Sequence, residues 1–181
     1  MNEREFADLR TKAGEALCRV GRGYESGDGV GKDEAEAVKW FRMAVELGFA
    51  EAQFELGRCY AFGIGVRRNR TMASKWLHNA AEQRHVKAML MLGSWYRSGY
   101  GVEERPREGV KWFRRAAEMG DARAMFELGD CYDTGTGVKK DSDAAYLWFC
   151  RAALAAPEDD EVYQRVQSRI YSPELKAVLG R

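Results

Sequence analysis

A repeat constrains this chain more than any other feature. Tyr24, Tyr60, Tyr96 and Tyr132 stand 36 residues apart, as do Trp40, Trp76, Trp112 and Trp148. Glycine keeps the same register at Gly27, Gly63, Gly99 and Gly135, and again at Gly29, Gly65, Gly101 and Gly137. Val30, Val66, Val102 and Val138 follow them. Ala16, Ala52, Ala88 and Ala124 open each unit, and Ala44, Ala80, Ala116 and Ala152 fall late in it. A unit this short cannot bury its apolar face alone, so it must stack on its neighbours.

Each unit reads as a helical hairpin. Ala52, Leu56 and Tyr60 fall on one stripe of a first helix. Gly63-Ile64-Gly65-Val66 breaks that helix, since glycine accepts positive φ without a Cβ clash. The second helix buries Ala73, Trp76, Leu77 and Ala80. Asp33 and Asp141 are expected as its N-caps in their units, with Glu36 completing a capping box. Arg105 takes that slot in the third unit, before Pro106 at a first helical position. Gly48 and Gly120 end second helices, where Arg84 and Ala156 stand in the other units. Gly21, Gly57, Gly93 and Gly129 fall inside first helices, at about 1 kcal/mol each relative to alanine. Close helix approach is the expected compensation, with the partner helix's Trp as the candidate filler.

The pattern Ala52-x-x-x-Leu56-Gly57-x-x-Tyr60-x-x-Gly63-x-Gly65-Val66, with Ala73-x-x-Trp76-x-x-x-Ala80-Ala81, resembles the Sel1-like repeat, a relative of tetratricopeptide repeats. The resemblance implies an all-α fold, an α/α right-handed superhelical solenoid of antiparallel helix pairs. It covers residues 16–159 as four units, 16–51, 52–87, 88–123 and 124–159. Residues 1–15 are expected as a helical extension and 160–181 as C-terminal capping helices, the last opened by Ser172-Pro173-Glu174. Gly23, Gly109 and Arg105 depart from the pattern in ways expected to loosen local packing only. The resemblance also implies a bacterial-type adaptor, scaffold or regulator that works through protein–protein interaction. The family shares no catalytic residues, so the expectation is a protein that is not an enzyme.

Other functions draw little support from the residues. Lys plus Arg number 29 against 28 Asp plus Glu, which removes the usual argument for nucleic-acid binding. No run approaches the roughly 20 apolar residues of a membrane span. The charged start Met1-Asn2-Glu3-Arg4 lacks the apolar run of a signal peptide, so the expected compartment is cytoplasmic. Gly27-Asp28-Gly29-Val30-Gly31-Lys32 lacks the spacing and the Ser or Thr of a phosphate-binding loop. His78 and His85 have no convergent ligands, and no metal or cofactor is expected. Cys131 and Cys150 share a hairpin, but Cys150 falls about 7 Å beyond the opposite position. With Cys18 and Cys59 they are expected as reduced thiols, unlike the regular pairs of exported cysteine-rich relatives.

A partner, a protein or peptide segment bound by a monomer, is expected in the concave groove, on the face of the first helices turned away from their own hairpins. Counting 100° per residue places Arg22, Phe54, Arg58, Phe62, Leu90, Ser94, Arg97, Phe126 and Asp130 there. One row runs Arg22, Arg58, Ser94, Asp130, from basic to acidic. These residues form either a groove that orients a segment or, for Phe54, Leu90 and Phe126, packing between repeats beneath a solvated charged face. The alternative function is an inhibitor or immunity-type protein wrapping one toxin or effector.

Overall fold

The computed structural model describes residues 2–157 and 160–171. Among these the chain forms nine helices and no strand: α1 Glu3–Ser26, α2 Glu34–Glu46, α3 Ala50–Phe62, α4 Arg70–Glu82, α5 Val86–Ser98, α6 Pro106–Glu118, α7 Ala122–Thr134, α8 Ser142–Ala155 and α9 Glu161–Ile170. They fall into two compact units, Met1–Ala88 and Met89–Arg181. The helix expected from Ser172-Pro173-Glu174 lies outside the described residues.

Local chemistry sets the helix ends. Asp33, Asn69 and Asp141 accept hydrogen bonds from the backbone N–H groups of Glu36, Met72 and Ala144. Glu36 does not close a capping box; its carboxylate takes Lys39 instead, at 2.6 Å. Arg105 makes no side-chain cap, and Pro106 begins α6. Gly63 ends α3 in the left-handed conformation and donates its N–H to the Cys59 carbonyl. Arg84 takes the same kind of left-handed backbone after α4, at φ 66°. A side chain there costs roughly 1–2 kcal/mol, which the equivalent Gly48 and Gly120 avoid. Residues 3–15 are continuous with the first repeat, so α1 runs for 24 residues while α2 to α7 each have 13.

In unit 1, α1 pairs with α2 and α3 with α4, and α3 also packs on α2. The core there joins Cys18, Val38, Phe41, Leu56 and Cys59, with Tyr24, Phe49 and Trp76 against it. In unit 2, α7 packs on α6 and α8, and α9 covers α7 and α8. Val166 of α9 is fully buried among Phe126, Phe149 and Ala152.

The filler opposite the mid-helix glycines is the residue after each Trp, which corrects the expectation from the spacing. A Cβ on Gly21 would lie 2.6 Å from Phe41 Cε1, and one on Gly57 2.9 Å from Leu77 Cγ. Gly93 meets the Phe113 ring and Gly129 the Phe149 ring in the same way. Phe41, Leu77, Phe113 and Phe149 are fully buried. Trp40, Trp76 and Trp148 flank this seam half-buried, and Trp112 alone of the four is buried. The angular reason is that consecutive helical residues differ by about 100°. The stripe that meets the glycine therefore passes through the second residue of each aromatic pair.

The loop glycines also serve contact between repeats. A Cβ on Gly65 would overlap the Glu34 carbonyl at the start of α2, and one on Gly137 would lie 2.5 Å from the Pro106 carbonyl of α6.

Phe41→Ala is expected to cost roughly 3–5 kcal/mol in denaturant unfolding. Trp40→Ala should cost clearly less. Trp40 is half-buried, and its indole N–H is buried with no acceptor among the described residues. Equal losses from the two substitutions would return the Trp slot to the centre of the core.

Candidate partner-binding surface

The first helices carry the surface singled out by the sequence, and each unit stitches its own part of it with ion pairs. In unit 1, Glu55 of α3 is only 6% exposed. Arg22 of α1 reaches its Oε1 at 3.4 Å, and Arg58 reaches its Oε2 at 2.9 Å. Arg22 also meets Glu51 at 3.0 Å, and Arg58 pairs back to Glu25 of α1. All but Arg58–Glu55, which lies within α3, cross between repeats. They hold α1 against α3 and keep a buried carboxylate neutralised.

Glu51 belongs to a second cluster. Its Oε2 lies 2.7 Å from His85 Nε2, and the Ala88 N–H approaches His85 Nδ1 at 3.2 Å. With Nδ1 accepting, Nε2 carries the proton and donates to Glu51. The imidazole stacks on Phe54, ring centroids 4.7 Å apart. Nearby, Gln83 donates to Gln53 at 2.8 Å. Burial pushes the Glu51 carboxyl up, but the His85 hydrogen bond and the nearby charges of Arg22 and Lys87 hold it below its usual value.

Unit 2 repeats the device with different residues. Arg97 of α5 pairs with Glu127 at 2.9 Å and approaches Asp130 at 3.6 Å. Glu127 is 8% exposed and occupies the repeat slot of Glu55. Arg165 and Arg169 of α9 extend the network to Glu127, Asp130 and Asp133. Arg165 also lies over the Phe126 ring, 4.2 Å from its centroid.

The residues singled out by the sequence thus separate into groups. Arg22, Arg58, Arg97 and Asp130 are engaged in ion pairs. Phe126 is 4% exposed and packs on Phe149, 5.4 Å between centroids, so its ring is covered by core. Phe54 is half-buried under His85, and Leu90 and Ser94 are half-buried on α5. Phe62 stands apart at 56% exposed. In the same slot the other repeats carry hydroxyls that bond back to their own helix: Ser26 to the Arg22 carbonyl, Ser98 to Ser94 and Thr134 to Asp130.

Sequence reasoning missed the acids. Glu55 and Glu127 share a slot, and each is followed three residues later by another charge, Arg58 or Asp130. That recurrence was the available signal. It also missed the tyrosine clamps, in which Arg42 donates to the Tyr60 hydroxyl at 3.0 Å and Arg114 to Tyr132 at 2.9 Å.

The family model described as Sel1 repeat matches residues 14–49, 50–85, 86–121 and 122–156. The chain belongs to the Sel1 repeat family. A Sel1 repeat protein from Oxalobacter formigenes is 34% identical over 93% of this chain, with a TM-score of 0.81. A protective antigen of uropathogenic Escherichia coli strains, displaying an SLR fold, is 34% identical over 92%, with a TM-score of 0.80. The chain spans 65% of the first and 34% of the second. Helicobacter pylori cysteine rich protein B shares the fold at 24% identity, a TM-score of 0.54, 74% of this chain and 96% of its own. No curated protein matches the chain at a significant level. The fold class is accordingly the all-α solenoid of paired helices, generally a protein–protein interaction module and a scaffold without catalytic machinery of its own.

Remaining chemistry is sparse. No group of three or more His, Cys, Asp or Glu suited to a metal stands among the described residues. No described helix is long and apolar enough to cross a membrane. Cys18, Cys59, Cys131 and Cys150 are free. Burial pushes the Cys18 and Cys59 thiols up to about 12, and Cys131 to about 11. All three stay protonated and unreactive at neutral pH.

Arg58→Ala would leave Glu55 with only the longer Arg22 contact, and should cost roughly 3 kcal/mol in urea unfolding. A change within error would make this pair a surface ornament. For Glu51, a folded pKa below the unfolded value of about 4.3 adds stability that is complete above that value and lost as pH falls through the folded one. Urea midpoints of the wild type and Glu51→Gln should therefore differ at neutral pH and converge as the pH falls through the folded carboxyl's lowered pKa. A constant gap across that range would remove the linkage.

Proposed function

We propose that this chain is an adaptor or scaffold that binds a segment of a partner protein on its first-helix face, with Phe62 as the principal anchor. The observation that carries the reading is the contrast within one slot. Ser26, Ser98 and Thr134 satisfy their hydroxyls locally, whereas Phe62 presents an aromatic ring to solvent. The fold gains nothing from that exposure. A large aromatic with few rotatable bonds is a common centre of binding energy. The Arg22 guanidinium, 47% accessible, supplies partly exposed charge near the start of α3, away from the anchor.

Family membership supports a protein ligand, and the ion-paired arginines limit what it can contact. Arg58 and Arg97 already hold internal acids, so they orient a segment less than the apolar and hydroxyl positions do. A photo-crosslinking residue at position 62 should capture the partner in the producing cells, while one at the exposed Lys111 should not. With that complex purified, Phe62→Ser should weaken binding by about 2 kcal/mol, roughly thirtyfold. The substitution copies Ser26 and Ser98, so the fold should be untouched. Unchanged affinity would dismiss Phe62 and the surface built around it.

A further inference from the structure

We infer that the cleft between α2 and the turn entering α4 is a receptor for carboxylate side chains, taking an acidic segment of the partner protein. The cleft has a volume of about 520 Å³ and is lined by Arg42, Tyr60, Val66, Arg67, Arg68 and Asn69. Three guanidinium groups line it, and no carboxylate does. Arg42 is fixed by its 3.0 Å hydrogen bond to the Tyr60 hydroxyl, a neutral partner that leaves its charge uncompensated. Arg67 and Arg68 have no ion pair among the described residues.

The equivalent turn of every other repeat keeps at least one acid. The first repeat neutralises Lys32 with Glu34 at 3.0 Å. The third pairs Arg105 with Glu103 at 3.0 Å. The fourth has Lys139 and Lys140 but keeps Asp141 as its cap. In the second, the cap is the uncharged Asn69, and α4 has no acid in its first turn, where α2, α6 and α8 all do. Every neutralising group has been replaced in one repeat, and these losses converge on a cleft.

Charge and size select the occupant. Planar guanidinium groups pair with carboxylates in bidentate geometry. The protein as a whole is near neutral, at +1, which does not suit a long polyanion such as nucleic acid. A small open site of one sign in a neutral molecule fits a few acidic side chains. This inference rests on the reading of the chain as a protein-binding module and gives the partner a chemical character.

Fluorescein-labelled octaglutamate titrated with the full chain at low salt, read by anisotropy, tests it. Saturable binding is expected. Arg67→Gln/Arg68→Gln should weaken it about tenfold or more, and Lys139→Gln/Lys140→Gln, with the same charge loss, should change it by less than about twofold. Lack of saturable binding, indifference to the arginine pair, or equal weakening by both pairs overturns the proposal. A single-stranded DNA decamer that binds more tightly, with the same arginine dependence, also overturns it. If Phe62→Ser abolishes partner binding while the arginine pair leaves octaglutamate unaffected, the cleft fails and the partner-binding function stands. The converse pattern retains the cleft and discards the Phe62 anchor.

Discussion

In every hairpin, a ring or leucine from the second helix lies on the bare backbone of a first-helix glycine. Gly21 with Phe41, Gly57 with Leu77, Gly93 with Phe113 and Gly129 with Phe149 are four copies of one contact. It brings the two helices closer than any side chain at the glycine would allow. Each glycine costs about 1 kcal/mol in helix propensity, and a buried Phe or Leu returns more than that. The position of every surface group follows from this seam. Once its two helices are locked face to face, the rest of the first helix must look either to the next repeat or outward.

The second constraint is between repeats, and it is mixed in chemistry. Small residues permit approach at the loops, where Gly65 sits on the start of α2 and Gly137 on the start of α6. Ion pairs complete it along the first helices, around the buried Glu55 and Glu127. A buried carboxylate adds little net stability, but it penalises any stacking that fails to supply its arginines. The apolar seam thus makes hairpins, and the charged ladder fixes how one hairpin meets the next.

The repeat, the hairpin, the turn glycines and the caps at Asp33 and Asp141 were legible because each is a local property of backbone and spacing. The identity of the glycine's partner was not. Trp and the residue after it recur with the same period, and only the helix rotation decides which one points inward. The capping box failed for a related reason: Glu36 had Lys39 within reach, and that competitor is invisible to a motif rule. The outward face suffered most. Arg22, Arg58, Arg97 and Asp130 were placed away from their own hairpins by helical phase, but away from the hairpin includes toward the neighbouring repeat. Helical phase alone does not separate those two directions, and Phe126 instead packs on Phe149 of its own hairpin beneath α9.

A repeat protein offers an internal control that a single-copy fold lacks. Equivalent positions face equivalent demands from packing, so a side chain that departs from its siblings without improving the fold answers to something else. Phe62 replaces a self-satisfied hydroxyl and leaves its ring exposed. Arg67, Arg68 and Asn69 stand where other repeats keep an acid. These departures lie within one turn and its preceding helix end, over residues 62–69. On the two proposals above, the complement is a partner segment that carries both an apolar side chain and acids. That segment would leave the ion-paired ladder intact, because its charge would be met by arginines the fold does not use.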